Sequence, residues 1–241
     1  MSLYKKIPLL TLVLSVGGCA YLGEQAVEPR QVLSEQRAAN CPVKDESCPL
    51  VNIDTQRFAD EPALNALIDH RLRMMTVNTP DAELPASLEA YQQAFLRTAE
   101  PGWSSYLQAK LIDQHDSLLV VELSGYLFTG GAHGMPGRGF INYDREQDRE
   151  LKLADVLLPG QEGAFWRVAA KAHQRWLVEN GHDAEFSRQW PFQQTANVAL
   201  LRDKVLLKYD VYSIAPYSSG HPALEIPYGE LETILKPAYL P

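Results

Sequence analysis

Apolar side chains recur at three- and four-residue spacing in three segments of the chain, and this period predicts amphipathic helices. The segments cover residues 62–77, 85–99 and 161–180. The third ends at Asn180-Gly181, and glycine is a frequent helix stop. Its predicted apolar face carries Phe165, Val168, Ala169, Ala172, Trp176 and Leu177.

Between and after these helices the period changes to two, which predicts strands. The clearest pair covers residues 103–113 and 118–128, around a short turn. Helices and hairpins are interspersed without a repeated strand–helix–strand order, so the pattern predicts an α+β fold. In that fold helices pack on antiparallel β-sheet, and the chain forms two interlocked subdomains. The other predicted elements are strands at residues 50–53, 138–144, 198–201, 205–212 and 223–226, and a short helix at residues 227–235.

The N-terminal residues are predicted to be a targeting segment. Lys5 and Lys6 precede an apolar run of roughly ten residues, which is typical of a signal segment and too short to span a bilayer. The run ends in Val16-Gly17-Gly18-Cys19, which resembles the lipobox of bacterial lipoproteins. This resemblance implies cleavage before Cys19 and its lipidation. Because no Asp follows Cys19, the expected location is the periplasmic face of the outer membrane. The alternative is an ordinary secretory signal.

Four parts make up the predicted domain organisation. They are a lipoprotein signal peptide (1–18), a tether with a disulfide loop (19–49), an N-terminal α+β half (50–145) and a C-terminal α+β half (146–241). The tether prediction rests on a Glu-, Gln- and Ala-rich composition without an apolar period. Cys41 and Cys48 are predicted to form a disulfide, since the compartment is oxidising and no nearby Cys or His completes a metal site.

The chain is acidic. Its formal net charge is −8, and removal of residues 1–18 deletes two lysines and no acid, which takes the charge to −10. An acidic domain does not favour nucleic acid or anionic lipid. The charge either favours a cationic partner or serves solubility alone.

A glycine-rich stretch at residues 125–134 follows the strongest predicted strand. Gly130 and Gly131 are adjacent in it, and glycine is needed where φ is positive or another backbone comes close. The stretch therefore predicts a strand that ends in a tight turn, with Thr129 and His133 as its strong polar side chains. The turn is either a scaffold for a binding surface or part of an active site.

Four segments together resemble one protein family. They are residues 126–134, the turn Asn142-Tyr143-Asp144 with residues 151–157, the strand at 206–212, and the loop at 214–220 leading to 225–231. In order and spacing they resemble the RsiV-like domain-of-unknown-function family of bacterial envelope proteins, and the resemblance covers roughly residues 50–235. A similar module precedes the catalytic domain of PdaC-type peptidoglycan deacetylases. The best-understood member is the extracellular part of an anti-sigma factor, which binds lysozyme.

The resemblance implies a recognition module that faces the cell wall and binds a lysozyme-like protein or peptidoglycan. The predicted function is therefore binding without catalysis, and no catalytic residue, metal or cofactor is assigned. The candidate binding residues lie in two glycine-flanked loops. They are Tyr126, Thr129, Gly130, Gly131, His133, Tyr217, Gly220 and His221.

A peptidoglycan-directed hydrolase or deacetylase is the alternative function. In this hypothesis His133 and His221 bind a metal with a third ligand such as Asp144 or His173, or act as a base and its helper. A serine nucleophile at residues 218–219 is another version, but the chain has no Gly-x-Ser-x-Gly elbow there.

Overall fold

The computed structural model describes residues 26–39, 41, 47–77, 79 and 82–241. The predicted signal peptide and Cys19 lie outside these residues. The α+β prediction is confirmed, because helices pack on a six-stranded sheet and a three-stranded sheet. Within the described ranges, no helix has the length and apolar character needed to cross a membrane.

The larger sheet has six strands in chain order and is covered by two helices. Its elements are β1 (Arg30–Arg37), β2 (Leu50–Arg57), α1 (Pro62–Met74), α2 (Leu88–Thr98), β3 (Ser104–His115), β4 (Leu118–Phe128), β5 (Met135–Asp144) and β6 (Arg149–Leu151). Neighbouring strands are antiparallel as predicted, except that β2 and β3 run parallel. A parallel pair needs a long crossover, and α1 and α2 supply it.

The first helix packs on this sheet through the apolar positions that its spacing predicted. Leu64, Ile68 and Leu72 have no exposed surface, and they share a core with Val51 and Val121 of the sheet. Full burial of one such side chain contributes about 1.5–3 kcal/mol relative to exposure. This one-sided burial holds a 13-residue helix that would be marginal alone.

The tether prediction is wrong for eight of its residues. Arg30–Arg37 forms β1 and pairs along its whole length with β2, with Arg30 opposite Arg57. Most of its side chains are exposed, Leu33 by 62%, so backbone hydrogen bonds rather than burial define this strand. Side-chain periodicity cannot reveal such an element. The predicted disulfide between Cys41 and Cys48 is confirmed, with the Cα atoms 5.7 Å apart, and it lies between β1 and β2.

The smaller sheet and its helices follow in the chain. The elements are α3 (Leu153–Val156), α4 (Glu162–Glu179), α5 (Ala184–Gln189), β7 (Val198–Leu200), β8 (Lys204–Lys208) and β9 (Ala223–Pro227), with short 3-10 turns at Tyr217–Ser219, Tyr228–Glu230 and Pro237–Tyr239. The strands are antiparallel in the order β7-β8-β9, and α4 packs on β9 through Phe165, Ala169 and Ala172.

Three details of this part differ from the predicted elements. The strand predicted to reach Tyr212 ends at Lys208, and the predicted helix at residues 227–235 contains only one 3-10 turn. The pattern also missed α5, which Asp183 caps at its N-terminus. The carboxylate of Asp183 accepts hydrogen bonds from the backbone N–H groups of Glu185 and Phe186. This capping holds a helix with no fully buried side chain, and apolar spacing does not detect that kind of helix.

The two sheets interlock through Asn142 of β5. Its side-chain Nδ2 donates to the carbonyl oxygen of Val198 and its Oδ1 accepts from the N–H of Leu200, both at 2.8 Å. Val120 and Ala199 pack nearby in a shared apolar cluster. The boundary expected between residues 145 and 146 falls in the turn from β5 to β6.

Candidate functional site

The hairpin turn between β4 and β5 has the backbone that its glycines predict. Gly130 and Gly131 have φ values of +94° and +90°, which residues with a Cβ rarely adopt. Gly134 serves another purpose, because a Cβ there would lie 2.3 Å from Cζ of Tyr126. The turn therefore folds closely onto the Tyr126 ring, and Thr129 lies exposed at its start.

His133 is exposed, yet both of its ring nitrogens have partners. Nδ1 lies 3.1 Å from the carbonyl oxygen of Gly134, and Nε2 lies 3.2 Å from the hydroxyl of Tyr212. A neutral imidazole protonated at Nδ1 donates the first bond and accepts the second. The ring also stacks on Tyr217, with centroids 3.8 Å apart and planes inclined by 21°. His133 therefore ties the turn to two distant tyrosines.

Two tyrosine hydroxyls bond the backbone of Gly134 from opposite sides. Its N–H donates to the hydroxyl oxygen of Tyr126 at 3.2 Å, and its carbonyl oxygen accepts from the hydroxyl of Tyr217 at 3.0 Å. The Tyr126 ring meets Tyr106 edge-on, with centroids 6.1 Å apart. These contacts connect β3, β4 and the loop after β8. We name this cluster the tyrosine surface, and its members are Tyr106, Tyr126, His133, Tyr212 and Tyr217.

Tyr212 joins the tyrosine surface through an uncommon backbone conformation. Its φ is +65°, in the left-handed region that residues other than glycine seldom occupy. The N–H of Ser213 donates to the carbonyl oxygen of Asp210 at 3.2 Å and closes a turn around it. Strained backbone of this kind is frequent at functional sites. Neither glycine nor asparagine marks the position in the sequence, so sequence reasoning missed Tyr212 as a site residue.

Three side chains at this end of the molecule remain well exposed. Tyr106 is 42% exposed, Tyr212 48% and Met135, the residue after Gly134, 55%. Sequence reasoning also missed Tyr106, because alternation in β3 shows only that it faces away from the core. Contiguous exposed aromatic and apolar side chains are typical of interaction sites.

The second glycine-flanked loop contributes Tyr217 to the tyrosine surface, but the side chain of His221 makes other contacts. Nδ1 of His221 lies 2.9 Å from the carbonyl oxygen of Tyr209. Its Nε2 is buried, and no described residue is hydrogen bonded to it. Burial lowers the pKa of His221. Gly220 has a φ of +65° and ends the 3-10 turn before it. The two candidate histidines therefore serve separate contacts.

The residues of the alternative hypotheses have other partners. Asp144 is buried and accepts hydrogen bonds from the backbone N–H groups of Glu146 and Gln147. His173 is buried in α4, and residues 218–219 lie in an exposed 3-10 turn. In the part of the chain that the structure describes, no group of three or more His, Cys, Asp or Glu residues is placed to hold a metal ion.

Known structures share this fold. A family model described as "Protein of unknown function (DUF3298)" matches residues 154–229. The chain is 54% identical to a DUF3298 family protein from Pseudomonas aeruginosa PAO1, whose crystal structure matches with a TM-score of 0.85 over 90% of this chain and 98% of that one. The chain therefore belongs to the DUF3298 family.

A more distant member has the same fold. The crystal structure of a DUF3298 family member from Bacteroides fragilis NCTC 9343 is 19% identical, with a TM-score of 0.62 over 88% of this chain and 94% of that one. No curated protein matches the chain.

Proposed function

We propose that the protein is a non-catalytic recognition module that binds another protein through the tyrosine surface. The observation that carries this proposal is an exposed aromatic cluster held in place before binding. Tyr106 and Tyr212 keep about half of their surface in water, while the turn at His133 is fixed by hydrogen bonds. Tyrosine offers a large contact area at low entropic cost, and such anchors dominate protein interfaces.

A protein partner fits this surface better than a glycan. The hydroxyls of Tyr126, Tyr212 and Tyr217 are already engaged within the protein, so few polar groups remain for sugar hydroxyls. The net charge of −8 favours a cationic protein, because opposite charge accelerates encounter. The RsiV-like resemblance supports a lysozyme-like partner of that kind.

We also propose that the protein is anchored by lipid at the periplasmic face of the outer membrane. The lipobox-like residues before Cys19 support the anchor, and the Cys41–Cys48 disulfide is consistent with an oxidising compartment. In a Gram-negative host, wild-type protein should incorporate a labelled fatty acid and sediment with outer membranes. Cys19→Ala should lose the label; a labelled Cys19→Ala protein would contradict the anchor.

The binding proposal is tested with purified full-length protein and lysozyme, measured by biolayer interferometry at about 50 and 300 mM salt. Binding should weaken at the higher salt, because screening shortens the reach of the charges. Tyr212→Ala should weaken binding at least about tenfold, the effect of losing one anchor residue.

Tyr239→Ala is the matched control, since this tyrosine lies outside the tyrosine surface and bonds Gln147. It should bind as the wild type does. If neither salt nor Tyr212→Ala changes the affinity for lysozyme, the tyrosine surface is not the interface. Retention of isolated peptidoglycan, with no retention of lysozyme, would replace the protein partner with a glycan.

A further inference from the structure

A cavity of about 580 Å³ lies at the end of the six-stranded sheet that is far from the tyrosine surface. Strand β3 carries Tyr106 near its start and His115 at its end, so about 30 Å of strand separate the two regions. The walls of the cavity come from the turns after β3, β5 and β7 and from the last two 3-10 turns. Clefts of roughly 300–1,000 Å³ are typical of small-molecule sites.

Three side chains form a row across the floor of this cavity. His115 lies opposite Leu118 in the pairing of β3 with β4, and Leu118 lies opposite Asp144 in the pairing of β4 with β5. Directly opposite residues project from the same face of a sheet, and all three line the cavity. Because neighbouring strands are about 4.8 Å apart, His115 and Asp144 are separated by about 10 Å, with an apolar side chain between them.

The imidazole of His115 lacks a hydrogen-bond partner at its buried nitrogen. The side chain is only 9% exposed, and Nδ1 lies 3.9 Å from Oδ2 of Asp113, which is beyond hydrogen-bond distance. Burial lowers the pKa of His115, as does Arg202, while Asp113 and Asp116 oppose them. The ring is therefore neutral near pH 7. With its proton on Nδ1, beside the carboxylate of Asp113, Nε2 can accept a hydrogen bond from a ligand in the cavity.

Carboxylates outnumber cations along the lining of the cavity. The lining contains Asp116, Asp144 and Glu146 but one arginine, Arg202, and within the described residues none of the three acids forms an ion pair. Asp144 is only 3% exposed. Its Oδ1 accepts from two backbone N–H groups and its Oδ2 from the side chain of Gln147, which leaves Oδ2 one further lone pair. A buried carboxylate without a cation favours a ligand that brings one.

The arrangement suits a ligand with two separated positive charges. Three carboxylates and one guanidinium give the lining a formal charge of −2. In the described part of the chain these acids are not grouped closely enough to hold one metal ion. They lie instead at two ends of the row, Asp116 beside His115 and Glu146 beside Asp144, with Leu118 between. An aliphatic chain over Leu118 can join two ammonium groups in this arrangement.

We propose that this cavity binds an aliphatic diamine, alone or as the end of a longer polyamine. One ammonium group donates to Asp144, the other donates to Nε2 of His115, and the methylene groups lie over Leu118. The lengths agree, because four methylenes separate the two nitrogens by roughly 6 Å. A hydrogen bond of about 3 Å at each end extends this reach to about 12 Å, which covers the separation of about 10 Å between β3 and β5. This site goes beyond the proposed protein recognition and does not depend on it.

Isothermal titration calorimetry on the full-length protein in detergent tests the proposal with four probes. The diamine 1,4-diaminobutane carries both charges and the chain, 1-aminobutane lacks one ammonium, 1,4-butanediol keeps the frame without charge, and Mg²⁺ has the same charge without the frame. The diamine should bind, and each of the other three should bind at least about tenfold more weakly. No heat with the diamine at about 10 mM, or equal binding of Mg²⁺, would overturn the proposal.

Variants assign the contacts. His115→Phe keeps a ring without the accepting nitrogen, and Asp144→Asn removes the charge but keeps an oxygen for the backbone N–H groups. Each should weaken binding of the diamine about tenfold. Glu146 is exposed, so Glu146→Gln should fold, and it should weaken binding about two- to fivefold. Glu179→Gln is the control, because it removes an exposed carboxylate of α4 that does not line the cavity. Unchanged binding in the first three variants would show that the diamine binds elsewhere.

Substitution of the arginine should have the opposite sign. Arg202 is exposed and donates to the carbonyl oxygen of Gln114. Arg202→Gln should strengthen binding of the diamine about two- to fivefold, because it removes a like charge from the lining. Weaker binding would mean that the guanidinium contacts the ligand, which contradicts a doubly positive ligand. Tyr212→Ala should leave binding of the diamine unchanged, and a loss there would show that the site is not separate from the tyrosine surface.

Discussion

The tyrosine surface and a second aromatic cluster on α4 contain similar residue types. The first lies at the protein surface, and the second lies in and against the hydrophobic core. The α4 cluster consists of Phe165, Trp166, His173, Trp176 and Phe192, whose rings contact one another. Its histidine has no exposed surface, and neither ring nitrogen is hydrogen bonded to a described residue. In the tyrosine surface the histidine is exposed, and both of its nitrogens have partners.

This difference shows which force holds each region. In the α4 cluster apolar burial is sufficient, although neither ring nitrogen of His173 is hydrogen bonded to a described residue. In the tyrosine surface little is buried, so hydrogen bonds to Gly134 and His133 fix the geometry instead. A surface held by hydrogen bonds keeps its rings available to a partner, whereas a cluster held by burial contributes stability.

The largest expected effect is a loss of stability on substitution in the buried α4 cluster. Phe165→Ala removes a fully buried ring and should lower the free energy of unfolding by about 3–5 kcal/mol, through lost transfer energy and the cavity left behind. Urea unfolding followed by tryptophan fluorescence measures it. A loss below about 1 kcal/mol would mean that α4 is not held by burial.

The buried histidine should make stability depend on pH. Burial lowers the pKa of His173, and the charge of His182 adds to this effect. The unfolded chain takes up a proton near the ordinary pKa of about 6.5, while the folded protein resists it. The contribution of His173 is therefore complete above about pH 6.5 and declines below it, by at most about 1.4 kcal/mol per pH unit.

Substitution of that histidine isolates its contribution. His173→Leu should lose less stability between pH 7.5 and 5.5 than the wild type, by up to about 1.4 kcal/mol in urea unfolding. His115 and His221 remain in both proteins, and burial also lowers their pKa values. Identical pH dependence of the two proteins would show that His173 titrates as it does in the unfolded chain.

A smaller effect is expected where a hydrogen bond, rather than burial, holds the geometry. Tyr217→Phe loses the bond to the carbonyl oxygen of Gly134 and should cost about 1 kcal/mol. The ring and its stacking on His133 remain. Thermal unfolding measures the loss, with Tyr239→Phe as the control. Complete loss of amide-exchange protection at Gly134 would show that the turn needs the Tyr217 hydroxyl in order to fold, and would contradict an effect of about 1 kcal/mol.

The smallest effect on stability is expected at the most exposed tyrosine. Tyr212→Ala should change the free energy of unfolding by no more than about 0.5 kcal/mol, because the one hydrogen bond that it loses, to His133, is exposed to water, whereas that of Tyr217 is partly buried. Its effect on partner binding should nevertheless be the largest among the tyrosines. Urea unfolding tests the first expectation beside the lysozyme titration. A loss comparable to that of Phe165→Ala would remove the distinction between the two regions.

Local sequence pattern determined the elements that have one buried face and the turns that need glycine. The spacing of Phe165, Ala169 and Ala172 indicates α4 and the side it buries, because a 3.6-residue period places these residues on one stripe. The hairpin of β3 and β4 follows from alternation in the same way. Gly130 and Gly131 indicate the turn, because positive φ is a local property of the backbone.

Tertiary structure alone decided the edge strand and the site. Arg30–Arg37 is a strand because its backbone pairs with that of β2. Its side chains are mostly exposed, so their pattern does not predict this pairing. Tyr212 contacts His133, although the two residues are 79 positions apart in the sequence. The backbone of Tyr212 is left-handed, and no glycine at that position indicates this conformation. Whether an aromatic ring is buried at α4 or exposed beside Gly134 depends on what the rest of the chain packs against it, because burial is a property of the assembled fold.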